Sequence, residues 1–544
     1  MYLDLDKGSP ARLSGDVAVI GAGVAGITLA RRLLAQGLHV VLLESGGRDF
    51  EAATAALNAG EVTGQDYYPL DHARLRFFGG TTAIWGGRCA ELDPIDFERR
   101  PWVAHSGWPI AHADLKNHYA EAWATFDLPG APQPELLRDA GVPLPRFAEG
   151  ELATPLWAFD DQFDRFTFDR CRDVLDHPHC IVVTHATVRE IVAERSGRGV
   201  ARLDVTSIGG RRLTVVADDY VLAAGGLENP RLLLASRSVM PQGLGNGHDQ
   251  VGRYFMEHPH ARGGRIVHGR VWALLSAFAK RRIGAQTVAP LIAPGSELQR
   301  RLGLLNTSLT LAPRRAASDS EAWAMRLYLR AKHDASPTRF GRGLWKATKR
   351  TVGWLQQHTD PLRPWLLNRL GRLEVALVVR GEQAPNPDSR VYLSQERDPL
   401  GMPRLALDWR TSALDAASVE GLVAALGRET ARLGLGKVEP AEWLSDPSRA
   451  WRTDALISAH PIGGYHHMGT TRMSASPRHG VADGYGLVHG LGNLYIAGSS
   501  LFPTSGWANP TLTIVALAMR TADRIIAQRS KSISMTSVPI AKAS

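Results

Sequence analysis

Gly21, Gly23 and Gly26 in the run GAGVAG, followed by Glu44, are the residues whose types and spacing most directly imply chemistry. The first glycine of such a group permits a tight turn, the second lets backbone N–H groups approach a pyrophosphate, and the third lets helix and strand pack closely. A helix starting there turns its partial positive charge toward the phosphates. An acid at the end of the next strand accepts hydrogen bonds from the adenosine ribose hydroxyls. The chemistry is dinucleotide binding. A glycine-rich turn in an unliganded α/β domain would contain the same glycines, so the flanking elements must decide.

Those elements are present. Asp16 to Ile20 is a Val- and Ile-rich apolar run that reads as a buried parallel strand. Ile27, Leu29, Leu33 and Leu34 then recur at helical spacing until Gln36-Gly37, a helix stop. Leu38 to Leu43 reads as a second strand with Glu44 at its carboxyl end. Further strands are expected at Leu213–Val216 and Tyr220–Ala224, with an apolar helix from Arg231, and at Leu494–Ile496 before a strongly helical C-terminal segment. Arg390–Leu393 and Arg404–Trp409 alternate as half-buried strands around the turn Asp398-Pro399-Leu400-Gly401. Cofactor-domain material therefore lies at both ends of the chain, with a largely antiparallel layer between.

The 544 residues, 44% hydrophobic and 22% charged, have the composition of a soluble globular protein and the length of two or three domains. The net charge is +9, and 326–372 alone holds eleven Lys or Arg against Asp334 and Asp360. That one segment accounts for all the excess; the rest balances. No nucleic-acid module accompanies these cations. Within it, 339–357 can be drawn as a basic helix with Trp345 and Trp354 at interface-like positions, so an exposed surface helix, contact with an anionic membrane surface and an anionic partner stay open. Cys89, Cys171 and Cys180 are too few and too irregularly spaced for a disulfide framework or a thiolate-bound metal, and no metal ligand set is expected. The N-terminal segment has neither the basic start nor the apolar core of a secretory signal, and no run of about 18 to 20 apolar residues occurs. A cytoplasmic chain is expected, with membrane association through 326–372 as the alternative.

With these parts in hand, the chain resembles the glucose-methanol-choline (GMC) family of flavin-dependent oxidoreductases. The resemblance is carried by VIGAGVAGITLARRL with Glu44, FGGTTAIWGGR at Phe78–Arg88, VLAAGGLENPRLLLAS, VGRYFMEHP at Val251–Pro259, HHMGTTRM at His466–Met473 and NLYIAGSSLFPTSGWANPTLTIVALA. It implies an α/β architecture: a discontinuous Rossmann-like FAD-binding domain from 1–120, 181–262 and 455–530, a connecting segment 121–180, and a substrate domain 263–454 of mainly antiparallel sheet plus helices that contains the basic insertion. Residues 531–544 read as a mobile tail.

The resemblance also assigns a site. Gly79, Gly80, Thr81 and Thr82 match the glycine-rich segment that passes close to the flavin, and Ile84 stands where some relatives carry a flavin-linked histidine, so FAD is expected to be non-covalent. Gly498, Ser499, Asn509, Pro510 and Thr511 complete the cofactor contacts, with backbone N–H groups or serine hydroxyls replacing the acid that many members carry at 497–500. His466 matches the catalytic histidine, with His467 the competing neighbour, and Asn509 before Pro510 matches its partner. Imidazole suits acceptance of a hydroxyl proton near neutral pH. Asn509 could equally cap the helix that Pro510 begins. Trp85, Trp108 and Trp507 read as packing residues, although Trp507 is close enough to Asn509 to line a pocket.

The segment 382–393 resembles that of sugar and polyol dehydrogenases, with Glu382 and Gln383 placed to bind a polyhydroxylated substrate. The expected reaction is oxidation of a primary or secondary alcohol on a sugar or polyol to aldehyde or ketone, with oxygen, a quinone or another external acceptor taking the electrons. A non-redox lyase of the same fold and a membrane-surface dehydrogenase of a lipophilic alcohol are the alternatives.

Overall fold

The structure, a computed structural model, describes residues 1–162, 164–313, 338–344, 362–370, 373–454, 456–458 and 462–536, with Trp323, Leu327 and Ala347 as isolated positions. The N-terminal apolar run forms the centre of its principal sheet. The strands are β1 (Tyr2–Asp4), β2 (Arg12–Ile20), β3 (Val40–Leu43), β4 (Cys180–Thr184), β5 (Thr187–Ala193), β6 (Val200–Thr206) and β7 (Arg212–Leu222). They lie in the order β1-β4-β3-β2-β7-β6-β5, with Leu494–Ile496 also paired to β7. From β1 to β7 every pairing is parallel, while β6 runs antiparallel to both neighbours. Val17 to Ile20 and Val40 to Leu43 are buried throughout, as strands covered on both faces must be.

Sequence suggested two strands where β7 is one. Its first half pairs with β6 and its second half with Leu494–Ile496, while β2 supports nearly its whole length on the other edge. Helix α1 (Val24–Leu34) ends just before Gln36-Gly37, as expected. Helix α2 (Gly225–Ala235) begins six residues earlier than the reading from Arg231, and it includes Pro230. Proline has no N–H for the carbonyl four residues back. That carbonyl, Gly226 O, instead accepts the Thr470 hydroxyl at 2.6 Å, so a distant residue makes the early start possible.

The second layer is the sheet of β8 (His260–Val267), β9 (Ser308–Ala312), β10 (Val375–Arg380) and β11 (Lys437–Pro440), ordered β9-β10-β8-β11 and wholly antiparallel. Helix α3 (Ala413–Arg432) covers it with Val419, Leu422, Val423 and Leu426. The strands Arg390–Arg397 and Pro403–Asp408 pair antiparallel around the expected turn. The class is mixed α/β, as expected. Strand pairing crosses the segment boundaries drawn from sequence: Gly60–Val62 joins Pro403–Asp408, and Leu156–Phe159 joins Arg88–Cys89 and Gln286–Pro290.

Helix α4 (Thr511–Thr536) packs on α1 and reaches into the stretch read as a mobile tail, of which 537–544 lies outside the described residues. Most of the basic stretch 339–357 also lies outside them; its described residues, 339–344 and Ala347, are helical. Among the described residues no helix is long and apolar enough to cross a membrane.

Candidate active site

One cavity of about 670 Å³ runs between the layers, from Gly21, Gly23 and Glu44 at one end to His466 and Asn509 at the other. At the first end the three glycines do different work. A Cβ on Gly26 would lie 1.9 Å from the Gly21 carbonyl oxygen, so this residue lets α1 pack against the turn and does not line the cavity. Gly21 has φ +105°, and a Cβ there would meet the Ala223 carbonyl oxygen at 2.6 Å. Gly23 faces open space, as do Gly225 and Gly498 on the same wall.

Several features fit this end to a dinucleotide. Gly23 caps α1 without any side-chain hydrogen bond, leaving the first-turn N–H groups available. Glu44, buried at the end of β3, accepts the Ala22 N–H at 3.0 Å and the Gly46 N–H at 2.8 Å and lines the cavity; burial raises its carboxyl above the usual range. Arg74, Arg76 and Arg231 share the wall with the carboxylates Glu228 and Asp398, with which they pair. Burial alone would raise Glu228, but Arg231, Arg76 and Arg74 hold it at about 2. Arg74 lines the cavity, and its Nε and Nη1 are buried without a hydrogen-bond partner among the described residues. FAD bound here would meet Gly21, Gly23, Glu44, Gly79, Gly80, Thr81, Thr82, Gly498, Ser499, Asn509 and Thr511, all on the wall. The Ser499 hydroxyl donates to the His467 carbonyl at 2.7 Å, so the 497–500 turn offers the cavity backbone more than side chain.

The other end turns on two histidines far apart in sequence. His258 Nε2 lies 2.9 Å from the Gly506 carbonyl oxygen and 3.3 Å from that of Ser505. A carbonyl only accepts, so Nε2 carries the proton. Burial lowers His258 to about 4, so the ring is neutral and its Nδ1 must accept. His466 Nδ1, 2.8 Å away, is therefore the donor. The lone pair of His466 is thus placed on Nε2, where Asn509 Nδ2 approaches to 3.1 Å. The local network dictates an imidazole with a defined tautomer on the cavity wall.

Glu257 sets the spacing of that pair. Its carboxylate accepts the His466 N–H at 3.0 Å and the His258 N–H at 3.1 Å, and it takes the Tyr67 hydroxyl proton as well. Fully buried, it is pushed up to about 7. Tyr67 oxygen in turn accepts from His467 Nε2 at 3.0 Å. His467 packs against Phe255 and, through burial first and Arg74 second, is lowered to about 3. The neighbouring histidines therefore differ: Nε2 of His466 holds a lone pair beside Asn509, while that of His467 holds a proton spent on Tyr67.

Among the other expected residues, Pro510 is buried off the cavity, and its carbonyl accepts the Ile514 N–H at 2.8 Å at the start of α4. Ile84 and Trp85 line the wall; Trp108 and Trp507 are buried and donate to Thr504 and Asp93. Glu382 and Gln383 do not face the cavity, contrary to the substrate-binding expectation. Glu382 is 0% exposed, paired with Arg100 and accepting the Asn306 N–H at 2.6 Å. Gln383 holds the Glu257 N–H at 2.9 Å and the Trp409 indole at 3.0 Å. Sequence reasoning did not assign roles to His258, Glu257, Tyr67, Arg88 or Arg380, although VGRYFMEHP contains the first two.

Comparison with known proteins finds two family models and several relatives. Residues 16–244 match the family model described as FAD dependent oxidoreductase, and 385–518 match that described as GMC oxidoreductase. The fructose dehydrogenase large subunit of Gluconobacter japonicus is 23% identical over 94% of this chain and 98% of its own. The 6'''-hydroxyparomomycin C oxidase of Streptomyces lividus is 26% identical over 96% and 93%. The 2-methyl-1,2-propanediol dehydrogenase of Mycolicibacterium austroafricanum is 24% identical over 96% and 97%. Among solved structures, formate oxidase aligns at TM-score 0.54 with 17% identity, over 96% of this chain and all of that one. Pyridoxine 4-oxidase from Mesorbium loti aligns at 0.54 with 18% identity, over 94% and 98%; both show the fold. With glycine cradle, strand-end acid and cavity histidine in place along the matched segments, the chain combines an FAD dependent oxidoreductase domain with a GMC oxidoreductase domain.

Proposed function

We propose that this enzyme oxidises a primary or secondary alcohol group of a sugar or polyol to the aldehyde or ketone. The observation that carries the reading is the lone pair held on His466 Nε2 beside Asn509 on the cavity wall. The alcohol oxygen sits against these two side chains; His466 Nε2 takes the hydroxyl proton while the Asn509 amide donates to the oxygen. Glu257 and His258 act as positioning residues, holding the His466 backbone and its tautomer. Bound FAD supplies the acceptor for the hydrogen and electron pair that leave the carbon. An external acceptor, oxygen or a quinone, then regenerates it.

FAD is held without a covalent bond in this reading, because Ile84 offers no nucleophile to the cavity. Heat or acid should release the yellow cofactor into the supernatant, and flavin retained in the precipitate would refute that. A reducing, cytoplasmic setting belongs to the same proposal and is supported by three free, buried thiols. The test of function is anaerobic bleaching of the flavin against a panel of alcohols, sugars and polyols, followed by oxygen or quinone. Bleaching by a polyol is the expected result; a flavin left oxidised by every alcohol would reject it.

A further inference from the structure

Two arginines of the cavity wall take no part in the chemistry above. Arg88 stands in the short strand Arg88–Cys89, Arg380 closes β10, and both line the cavity together with His466 and Asn509. Trp157 is within cation–π reach of both, its ring centroid 5.2 Å from the Arg88 guanidinium carbon and 5.4 Å from that of Arg380. Trp157 in turn meets Trp507 edge-on at 6.1 Å, two residues before Asn509. Arg380 Nη1 also lies 3.1 Å from His260 Nε2, and His260 is two residues beyond His258. These contacts put the arginine pair at the reactive end.

Of the other buried arginines, Arg100 is matched with Glu382 and Arg231 with Glu228 and Asp398, while Arg472, which has no carboxylate among the described residues, lies off the cavity, donating to the His105 carbonyl and stacking on Tyr254. Neither Arg88 nor Arg380 meets a carboxylate among the described residues, and Nε of each is buried without a hydrogen-bond partner. Burial lowers both, and Arg380, which also feels the like charge of Arg88, falls to about 9. Unpaired cations in such a setting are costly, and guanidinium forks match the oxygens of carboxylate and phosphate. The phosphates of a dinucleotide are served at the far end by α1 and Arg74. A neutral polyol would leave Arg88 and Arg380 uncompensated.

We infer that Arg88 and Arg380 form an oxyanion receptor, and that the alcohol oxidised here carries a carboxylate or phosphate away from the reacting carbon. This rests on the alcohol-oxidising reading and names its substrate class: a sugar acid, hydroxy acid or sugar phosphate. The trp-flanked pair fixes the anionic group, and the reacting hydroxyl is left to His466 and Asn509.

The test uses the holoenzyme. Anaerobic flavin reduction is measured with glucose and sorbitol as neutral alcohols, gluconate as a carboxylate and glucose 6-phosphate as a phosphate. An anionic alcohol should exceed the neutral ones in kcat/KM by on the order of 100-fold, the size expected for a desolvated charge pair. The gluconate and phosphate arms distinguish the two oxyanions. Arg88→Met and Arg380→Met should each collapse that ratio toward unity, and Arg380→Lys, which keeps charge but loses the fork, should fall between. In parallel, succinate, which has no hydroxyl to oxidise, should raise the melting temperature of the wild-type holoenzyme and not of the Met variants. Equal efficiency for neutral and anionic alcohols, or succinate stabilisation that survives both Met variants, would overturn the inference. Were no alcohol of any charge to bleach the flavin, the alcohol-oxidising reading would fail, while the succinate arm would still judge the arginine pair.

Discussion

The two ends of the cavity are built on different principles. The dinucleotide end is made largely of backbone from a few short, continuous segments, with glycines doing by absence what side chains cannot. The reactive end is made of side chains brought from separated parts of the chain: His258 and His466 meet across 208 residues, and His466 meets Asn509 across another 43. Backbone sites are encoded locally and tolerate few residue types. Side-chain sites depend on the packing that delivers them, so their failures should appear first in rate and tautomer, not in cofactor content.

Mutations can break this contrast, and the largest effect belongs to the reactive end. His466→Ala should lower the rate of flavin reduction by about 10² to 10⁴ with FAD still bound, read by anaerobic stopped flow. Near-normal reduction would move the role to His467. Glu382→Ala comes next, and it should act on stability: leaving Arg100 buried and unpaired costs about 3–5 kcal/mol, visible in denaturant unfolding. A raised Michaelis constant at unchanged stability would restore the substrate-binding role for Glu382.

Acid should also weaken the reactive end. His258 is lowered from 6.5 to about 4 and His467 to about 3, so the unfolded chain binds protons there that the folded chain refuses. Their stabilisation is present above pH 6.5 and is lost as pH falls toward those values, about 3 kcal/mol from His258 alone. The raised Glu257 carboxyl contributes with the opposite sign over the same range, so the check is residue by residue: imidazole NMR resonances of His258 and His467 that still titrate near 6.5 would contradict the neutral assignments.

Glycine substitutions sharpen the contrast at the dinucleotide end. Gly26→Ala should destabilise the fold by about 1–3 kcal/mol, because its Cβ meets a backbone oxygen. Gly23→Ala should leave thermal stability of the apoprotein nearly unchanged and lower FAD content, since its Cβ enters the cavity. The smallest effect is expected for His258→Leu: roughly a tenfold loss in rate, below the about 10² to 10⁴ that a general base itself contributes, together with a displaced pH–rate profile. A simple structural loss would not move that profile.

The first βαβ unit was legible because its signals lie within one stretch of chain: an apolar strand, spaced glycines, a helical repeat and an acid. The start of α2 was not, because Pro230 argues for a break and only Thr470, 244 residues away from Gly226, replaces the missing donor. Glu382 was misread for the same reason, since Arg100 is 282 residues away and turns a polar residue near a turn into a buried ion pair.

By itself, the sequence determined the strand, glycine turn and strand-end acid of a dinucleotide-type cradle at Gly21, Gly23 and Glu44, and through resemblance that His466 and Asn509 belong to one site. Only the tertiary structure decided which of two adjacent histidines presents a lone pair, because a tautomer is set by whichever atoms meet the other ring nitrogen. It alone also decided that Arg88 and Arg380 share a wall with neither paired to a carboxylate among the described residues, because charge compensation is a property of neighbours in space.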